Sequence, residues 1–453
     1  MEKYDLIVLG GGTAGLGTAF RASAQGWKVA IVETHYLGGT CINVGCIPSK
    51  ILISSARAMQ AVRDAGKLGV IAAPPTADWK AMVERKERII GGLRQNTDEA
   101  IEKNEQIVLY QGKAAFTAPH TIEVNGQSLT AEKIVIATGA RPALPPIAGL
   151  SDIDYLTSTS AMEMEELPRS LLIVGGGSIA LEFSQLFARL GVEVTILYRG
   201  PRLAANLEPE ISEEIYRVLE SEGITLLANT HIRSAGSEDG SAYLAVETEK
   251  VTARYSAHRI LMATGRAPNT DMLDLEKTGI QTDKKGFIAV DEGFQTNVKG
   301  IWAIGDVIGG MMFTHKAWHD ALLLSGYLLR GEEIRSSDRL IPFAVFTEPE
   351  IAGAGLSENG AVEAGYPVKV QRFSFSHQKR AMAIGKTAGF VKLVLDEKSG
   401  RILGAHLIGP EAGELIHELI VAMHCGTTVY DLQEMMHVHP SISEAINSVA
   451  LSS

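Results

Sequence analysis

Short runs of apolar residues alternate with amphipathic stretches along most of the chain, and this alternation predicts parallel strands joined by helices. Parallel strands are nearly continuous apolar runs because helices cover both faces of their sheet. The pattern predicts two strand–helix–strand units, formed by residues 4–9, 15–25 and 27–32 and then by residues 171–174, 181–190 and 192–197.

The pattern changes after about residue 339, where strands at 368–373, 390–395 and 402–408 precede helices near 411–424 and 428–436. Runs of strands followed by helices are typical of an α+β domain. We therefore expect an α/β protein with two Rossmann-like domains and a C-terminal α+β domain. The expected boundaries are residues 1–147 with 268–338 for the first domain, 148–267 for the second and 339–453 for the third.

Composition narrows the class of protein. The chain has 453 residues, of which 45% are hydrophobic and 21% charged, as in a globular protein of several domains. A net charge of −11 argues against nucleic acid or an anionic membrane surface as the main partner. No signal peptide or long apolar run is recognised, and only three cysteines are present. We expect a cytoplasmic protein.

The turn after the first strand carries a glycine motif. Gly10, Gly12 and Gly15 have the G-x-G-x-x-G spacing, and Glu33 ends the next strand about 20 residues later. Such glycines let the backbone approach a pyrophosphate, which the helix N-terminus stabilises, while the acid binds ribose hydroxyls. Strand, turn, helix, strand and acid together predict a dinucleotide site.

The same motif returns in the second unit as Gly175, Gly177 and Ala180. Two complete units predict two dinucleotides, most economically FAD and a nicotinamide nucleotide. Where the first unit has Glu33, the second has Tyr198 and Arg199, with Arg202 nearby. Because guanidinium groups bind a 2′-phosphate, we predict NADPH rather than NADH, although NADH stays an alternative donor. The alternative interpretation is that the two arginines are simply exposed on a loop.

Two of the three cysteines, Cys41 and Cys46, lie five positions apart, shortly before Pro48. A helix that begins here would lower the pKa of Cys46 and favour its thiolate. The functional interpretation is a redox-active disulfide. The alternatives are two unrelated thiols or half of a metal site, and for a zinc site only Cys425 would remain as a further cysteine. We predict no metal site.

A histidine near the C-terminus is a candidate base. His439 precedes Pro440, and Glu444 follows shortly after. A histidine oriented by a carboxylate could act as the general acid–base that thiol–disulfide exchange needs. The structural alternative is a capping box between Ser441 and Glu444 at the start of a helix.

Together these motifs resemble the class I pyridine nucleotide–disulfide oxidoreductases, the family of dihydrolipoamide dehydrogenase, glutathione reductase and mercuric reductase. The resemblance spans the chain in the family's order. It rests on Gly10–Gly15 with Glu33, Gly39-Thr40-Cys41 through Cys46 to Lys50, Gly175–Ala180 with Glu182, Gly305-Asp306, and His439-Pro440 with Glu444.

The resemblance implies a role for each residue. Cys46 would be the flavin-side thiol, Cys41 would attack the substrate disulfide, and His439 with Glu444 would serve the partner subunit of a homodimer. Lys50 and Glu182 would lie near the flavin. The residues implied for FAD are Gly10, Gly12, Gly15, Glu33, Gly39, Thr40, Lys50, Ala114, Thr138, Gly139 and Asp306; those for NADP are Gly175, Gly177, Ala180, Arg199, Arg202 and Gly265.

Some residues depart from each member of the family. Dihydrolipoamide dehydrogenases normally carry an acid where this chain has Arg199, and mercuric reductases lack the base that His439 would supply. We predict an FAD- and NADPH-dependent oxidoreductase that acts on a small or protein-bound disulfide. The alternatives are a reductase of Hg(II) or Cu(II), and a structural or redox-sensing component of a multienzyme complex.

Overall fold

The computed structural model describes residues 2–247 and 252–452. The helices are α1 Thr13–Ser23, α2 Gly39–Asn43, α3 Cys46–Asp64, α4 Trp79–Glu102, α5 Ser178–Arg189, α6 Pro209–Ser221, α7 Thr314–Arg330, α8 Glu358–Glu363, α9 Lys379–Ala383, α10 Ala412–Cys425, α11 Val429–Glu434 and α12 Glu444–Ala450.

The strands are short, as expected for an α/β protein. In chain order they are β1 Glu2–Tyr4, β2 Leu6–Leu9, β3 Val29–Glu33, β4 Ile107–Gln111, β5 Ala114–Ala118, β6 Thr121–Val124, β7 Gln127–Ala131, β8 Ile134–Ile136, β9 Ala140–Pro142, β10 Tyr155–Leu156, β11 Ser170–Val174, β12 Glu193–Leu197, β13 Thr225–Leu227, β14 His231–Glu238, β15 Ser241–Glu247, β16 Thr252–Ala257, β17 Arg259–Met262, β18 Arg266–Pro268, β19 Ile301–Ala303, β20 Phe343–Val345, β21 Glu350–Gly355, β22 Val368–Ser374, β23 Phe390–Asp396 and β24 Ile402–Gly409.

The chain divides into two compact units. The first unit comprises Met1–Ile51, Ala81–Ala143 and Gly265–Arg339, and the second unit comprises Leu52–Lys80, Leu144–Thr264 and Leu340–Ser453. The predicted division into three domains stays a prediction.

A five-stranded parallel sheet in the order β19-β8-β2-β3-β4 is the centre of the first unit. All four residues of β2 are buried because both faces of the sheet are covered. Leu6 and Val8 pack towards α1 and α7, whereas Ile7 and Leu9 pack towards the sheet of β1 and β5–β7. The alternation of strand side chains thus divides the core of this unit into two layers.

The second unit repeats this plan. Its parallel sheet has the order β10-β17-β11-β12-β13, and residues of β11 and β17 form a core with the three-stranded antiparallel sheet β14-β15-β16. The same unit contains an antiparallel sheet in the order β20-β21-β24-β23-β22, whose core includes buried residues of α10 and α12. The predicted α/β class with a C-terminal α+β region is confirmed.

One element limit differs from the sequence prediction. The apolar run before Asp306 predicts a strand over residues 300–306 that ends in this acid, but β19 ends at Ala303 and Asp306 lies in a 3-10 turn, Gly305–Ile308. The positive φ of Gly305 ends the extended conformation before the acid is reached. Among the described residues, none of the helices combines the length and the apolar character needed to cross a membrane.

Candidate active site

The first glycine turn lies between β2 and α1. Gly10 has a φ of +106°, and a Cβ there would lie 2.3 Å from the carbonyl oxygen of Ala137, so only glycine fits. A Cβ at Gly15 would lie 1.9 Å from the carbonyl oxygen of Gly10. At Gly12 a Cβ would make only ordinary contact with Gly39, at 3.7 Å. Packing inside the protein therefore explains two of the three glycines.

The helix that follows this turn can receive an anion. Gly12 is the N-cap of α1, and within the described chain no side chain caps the helix. The N–H groups of a first helical turn have no partner within the helix and carry a partial positive charge. The glycine turn and the uncapped helix therefore fit the pyrophosphate of a dinucleotide, as the sequence predicts.

Glu33 lies at the end of β3, as predicted. One carboxylate oxygen accepts a hydrogen bond from Gly11 N at 2.7 Å, and the other accepts from the backbone of Thr34 at 2.7 Å and of His35 at 2.9 Å. The predicted ribose-binding acid is thus held in one orientation, beside the glycine turn.

The cysteine segment packs directly against the first glycine turn. Gly38 N donates a hydrogen bond to Gly11 O at 2.8 Å. Gly39 approaches so closely that its Cβ would lie 2.7 Å from the Cα of Gly12. Helix α2, which begins at Gly39, carries Thr40 and Cys41. The structure therefore brings the predicted FAD-binding turn and the predicted redox cysteines together.

The two thiols interact with each other and share Thr314 as a neighbour. Cys46 is the first residue of α3, and its Sγ lies 3.4 Å from the hydroxyl oxygen of Thr314. The hydrogen bond to Cys46 raises the pKa of Cys41, and burial raises it further; Thr314 and Lys50 act in the opposite direction. Two adjacent thiols do not both ionise readily, so the raised pKa of Cys41 keeps its thiol protonated beside Cys46.

The role of Thr314 is not recognisable in the sequence. Its hydroxyl reaches Cys46 because α7 begins at Thr314, immediately after Phe313 as the N-cap. No feature of the sequence links two residues so far apart. The sequence pattern predicts a helix over residues 311–330, whereas α7 begins three residues later and so has Thr314 in its first turn.

Further residues of the predicted FAD site lie in the first unit. The hydroxyl of Thr138 donates to Asn269 O at 2.8 Å, and Asn269 Nδ2 donates to Thr138 O at 2.9 Å. These two hydrogen bonds hold the turn that contains Gly139 against Asn269. Ala114 is buried in β5 within the core of the unit. The contact of these residues with FAD stays a prediction.

Asp306 is half-buried, and burial raises the pKa of its carboxyl. Arg266 is its nearest cation, with Nε 3.8 Å from Oδ2. A hydrogen bond holds the turn that carries Asp306, because Gly305 N donates to Asp320 Oδ2 at 3.0 Å. Asp320 is held in turn by Lys316 at 2.7 Å and Arg339 at 2.6 Å. The buried ion cluster of Asp320, Lys316 and Arg339 therefore positions the loop of Asp306, and the sequence alone gave no sign of this cluster.

The second glycine turn repeats the first in the second unit. Gly175 has a φ of +127°, and its Cβ would lie 2.2 Å from the carbonyl oxygen of Ala263. Among the described residues, no atom lies within 4 Å of the position that a Cβ would take at Gly177, so packing does not require glycine there. Ala180 is fully buried in α5. Gly265, also predicted for this site, belongs to the first unit.

The two predicted phosphate-binding arginines follow β12. Tyr198 is buried, whereas Arg199 and Arg202 are both exposed. Arg202 lines a surface cavity together with Tyr216 and Arg217 of α6. Arg217 was not singled out in the sequence, because it lies in a helix with the acidic neighbours of an ordinary exposed face.

Lys50 and Glu182, the two residues predicted to lie near the flavin, belong to different units. Lys50 lies in α3 in the first unit, with Nζ 3.4 Å from Ser49 Oγ. Glu182 is buried in α5 in the second unit, where its Oε1 accepts a hydrogen bond from Phe346 N at 2.9 Å. Their pairing beside a flavin stays a prediction.

His439 and Glu444 form the predicted pair, with His439 Nδ1 2.8 Å from Glu444 Oε1. Ser441 N donates to Glu444 Oε2 at 3.0 Å, and these hydrogen bonds lower the pKa of Glu444. The capping-box alternative is wrong in detail, because Ser443 is the N-cap of α12 and the hydroxyl of Ser441 has no hydrogen-bond partner within the described chain. The carboxylate orients the imidazole and the backbone together.

Comparison with known families decides the class of protein. Residues 4–321 match the pyridine nucleotide-disulphide oxidoreductase family, and residues 341–450 match the dimerisation domain of the same family. The chain belongs to this family. Pyridine nucleotide-disulphide oxidoreductases are FAD-dependent enzymes that use NAD(P)H, and this protein is an oxidoreductase of that type. The predicted family, fold and enzyme class are confirmed.

Relatives within the family have different activities. A mercuric reductase of Streptomyces lividans is 38% identical over 456 residues, covering 99% of this chain and 95% of the relative. A dihydrolipoyl dehydrogenase of Bacillus subtilis (strain 168) is 35% identical over 464 residues, covering 99% and 98%. The Cu(II) complex of the HOCl-induced flavoprotein disulfide reductase RclA from Escherichia coli is 30% identical, with a TM-score of 0.91 and 99% of both chains covered.

Proposed function

We propose that this pyridine nucleotide-disulphide oxidoreductase passes electrons from NADPH, through FAD, to a Cys41–Cys46 disulfide and on to a disulfide substrate. The observation that carries this proposal is the position of the thiols. Cys46 begins a long helix and lies 3.4 Å from Thr314, while the segment holding Cys41 packs against the glycine turn that fits a pyrophosphate. A helix N-terminus and a hydroxyl both favour the thiolate of Cys46.

The bound flavin would supply two electrons, which together with one proton open the Cys41–Cys46 disulfide to one thiol and one thiolate. Cys41 then loses its proton to a base and attacks one sulfur of the substrate disulfide, so a mixed disulfide forms and the first substrate thiolate leaves. The Cys46 thiolate next attacks the Cys41 sulfur. This second attack releases the other substrate thiolate and restores the Cys41–Cys46 disulfide.

A base is needed because the pKa of Cys41 is raised and the attacking species is its thiolate. His439, oriented by Glu444 at 2.8 Å, would accept that proton and return it to the leaving thiolate. The family's dimerisation domain at residues 341–450 supports a homodimer. We place His439 of one protomer beside the thiols of its partner, so an isolated monomer would be inactive.

Lys50 and Glu182 would lie near the flavin and favour its reduction by the nucleotide. Lys50 lies close enough to the thiols to act on the pKa of Cys41. Glu182 is buried and already oriented by Phe346 N. The low cysteine content and the redox use of two cysteines favour a cytoplasmic location.

Arg199 and Arg202 support NADPH as the preferred donor. Both are exposed on the segment after β12, the position that lies beside the adenosine ribose in a Rossmann-like unit. A guanidinium there attracts a 2′-phosphate, whereas the carboxylate of Glu33 in the first unit would repel it. NADH remains the alternative donor.

Titration of the anaerobic enzyme with NADPH tests the mechanism. We expect a long-wavelength charge-transfer band from the Cys46 thiolate beside the flavin, and its loss in Cys46→Ser. The matched variant Cys41→Ser should retain the band but not turn over. Reduction of the wild type by NADPH without such a band, and the same spectrum in Cys46→Ser, would contradict the mechanism.

The substrate is assigned by turnover with lipoamide, glutathione disulfide and other small disulfides. The second candidate function is reduction of Hg(II) or Cu(II), which the mercuric reductases and the RclA complex with Cu(II) favour by similarity. A soft metal ion could bind the thiol pair directly. NADPH oxidation that depends on Hg(II) or Cu(II), is lost in Cys41→Ser and occurs with no disulfide would establish this second function.

A further inference from the structure

A fully buried lysine connects the C-terminal antiparallel sheet of the second unit to the segment that carries the two arginines. Lys392 lies in β23, and its side chain is 0% exposed. Its Nζ lies 2.7 Å from Glu208, 2.8 Å from Glu210 and 2.7 Å from Glu358. None of these residues belongs to the proposed chemistry, so the cluster requires an explanation of its own.

The cluster is not an empty metal site. Carboxylate oxygens of Glu208, Glu210 and Glu358 lie close enough to bind one metal ion. However, the ammonium of Lys392 occupies the position between them that such an ion would need. Although burial opposes the charge, hydrogen bonds to these carboxylates raise the pKa of Lys392, so it stays charged. The lysine is the cation of this cluster.

Glu208 connects the cluster to the nucleotide site. We call residues 198–208 the arginine segment, because it runs from the end of β12 through Arg199 and Arg202 to the N-cap of α6. Glu208 ends this segment and its side chain is 2% exposed. One carboxylate oxygen binds Lys392, and the other accepts from Glu358 N at 2.8 Å.

The arginine segment is also fixed against the second glycine turn. Ala204 N donates to Gly176 O at 2.7 Å, and Leu203 is buried beside Gly176. Ala204 has a φ of +45°, an uncommon conformation for alanine. A backbone in that conformation persists only when its surroundings hold it. The segment is therefore held through Ala204 at Gly176 and through Glu208 at Lys392, and the exposed Arg199 and Arg202 precede both anchored residues in the chain.

We propose that Lys392 is a positioning residue for nucleotide specificity, which holds the arginine segment so that Arg199 and Arg202 can receive the 2′-phosphate of NADPH. The inference rests on the proposed preference for NADPH. It assigns to the antiparallel sheet a role in nucleotide recognition. Loss of the Lys392 charge would leave three neighbouring carboxylates to repel one another, and Glu208 would withdraw the end of the segment.

Glu208→Gln and Glu358→Gln form a matched pair for the test. Each removes one carboxylate partner of Lys392, but only Glu208 belongs to the arginine segment. We expect Glu208→Gln to raise the KM for NADPH by about fivefold, with the KM for NADH and the charge-transfer band after dithionite reduction unchanged. Glu358→Gln should leave the KM for NADPH within about twofold of the wild type, because the segment keeps its anchor.

Lys392→Met should raise the KM for NADPH by about tenfold, and its control is Arg189→Met. Arg189 is a second buried cation of this unit, 2.7 Å from Glu222 and 2.6 Å from Glu348, and it does not contact the arginine segment through these partners. Both variants should lower Tm, but only Lys392→Met should raise the KM for NADPH.

Equal increases of KM in Lys392→Met and Arg189→Met, or in Glu208→Gln and Glu358→Gln, would overturn the positioning role. Equal increases for NADPH and NADH would overturn it as well. If Lys392→Met does not fold, the glutamine pair decides. The wild-type ratio of NADPH to NADH turnover separately tests the proposed preference, so the two failures are distinguishable.

Discussion

The two glycine turns begin alike and differ in the polar groups that surround them. At both, the first glycine has a positive φ and its Cβ position lies within 2.3 Å of an alanine carbonyl oxygen, Ala137 for Gly10 and Ala263 for Gly175. Each of these alanines begins an Ala-Thr-Gly sequence at the end of the neighbouring strand. The resemblance therefore includes the strand that packs against the turn as well as the glycine motif itself.

The difference lies after the second strand of each unit. In the first unit, the side chain of Glu33 accepts a hydrogen bond from Gly11 N of the turn, and Gly39 of the cysteine segment lies against Gly12. In the second, Gly176 O accepts from Ala204 N, and no atom of the described residues lies within 4 Å of the Cβ position of Gly177. The first turn thus has Glu33 and the cysteine segment as neighbours, whereas the second turn has the arginine segment. The backbone geometry is shared, and the different polar neighbours are the basis of the proposed difference in ligand.

Replacing the first glycine of either turn should have the largest effect. Gly10→Val should yield protein without flavin, whereas Gly175→Val should retain flavin but lose reduction by NADPH. Each loss should be about 100-fold or more, because backbone strain of about 3 kcal/mol corresponds to two powers of ten in an equilibrium constant. Visible absorbance of the purified protein and reduction by NADPH or dithionite measure the two outcomes.

The matched controls are Gly26→Ala and Gly191→Ala. Both glycines end the helix of their unit with positive φ, but have no atom within 4 Å of the Cβ position among the described residues. These variants should keep both cofactors. Loss of flavin from Gly175→Val, or loss of cofactor from the controls, would contradict separate roles for the two turns.

Arg199→Glu should reverse the polarity that distinguishes the second turn. We expect the ratio of kcat/KM for NADPH to that for NADH to fall about 10- to 100-fold, since a hydrogen bond to a charged group contributes about 1.5–3 kcal/mol. Arg233→Glu is the control, an equal change of charge at an exposed arginine of β14 in the same unit. An unchanged ratio in Arg199→Glu would refute the proposed preference.

Thr314→Val tests the thiol chemistry beside the first turn. The variant keeps the shape of the side chain but removes the hydroxyl that lies 3.4 Å from Cys46 Sγ. We expect a weaker charge-transfer band and turnover lowered about fivefold to tenfold, as for one hydrogen bond of about 1–1.5 kcal/mol. Thr314→Ser should restore both. A normal band in Thr314→Val would show that the hydroxyl does not stabilise the thiolate.

The smallest effect is expected for Glu444→Gln. The pKa of Glu444 lies below its ordinary value of 4.5. At pH values above this pKa the carboxylate is ionised and accepts a hydrogen bond from His439, and the interaction is lost only as the pH falls through the lowered pKa. The wild type therefore keeps the pair from about pH 5 to 8. We expect turnover of the variant to be about threefold lower across that range. A loss confined to one end of the profile would contradict this role.

Much of the local geometry of the candidate site could be predicted because it is encoded in short segments. The turns at Gly10 and Gly175, the helix that begins at Cys46 and the pair of His439 with Glu444 all depend on residues close in sequence. The exact role of Glu444 was less predictable. The spacing from Ser441 suggested a capping box, but the helix begins too late for Ser441 to cap it.

The amino-acid sequence by itself determined the alternation of strands and helices, the glycine turns and the spacing of the thiols, because backbone preferences act over a few residues. Only the tertiary structure decided which polar groups meet. Thr314 reaches Cys46 across 268 positions, and Lys392 meets Glu208 across 184. Such partners meet because tertiary packing brings distant segments together, and most polar groups that become buried then need a hydrogen bond, a condition that a linear pattern does not record.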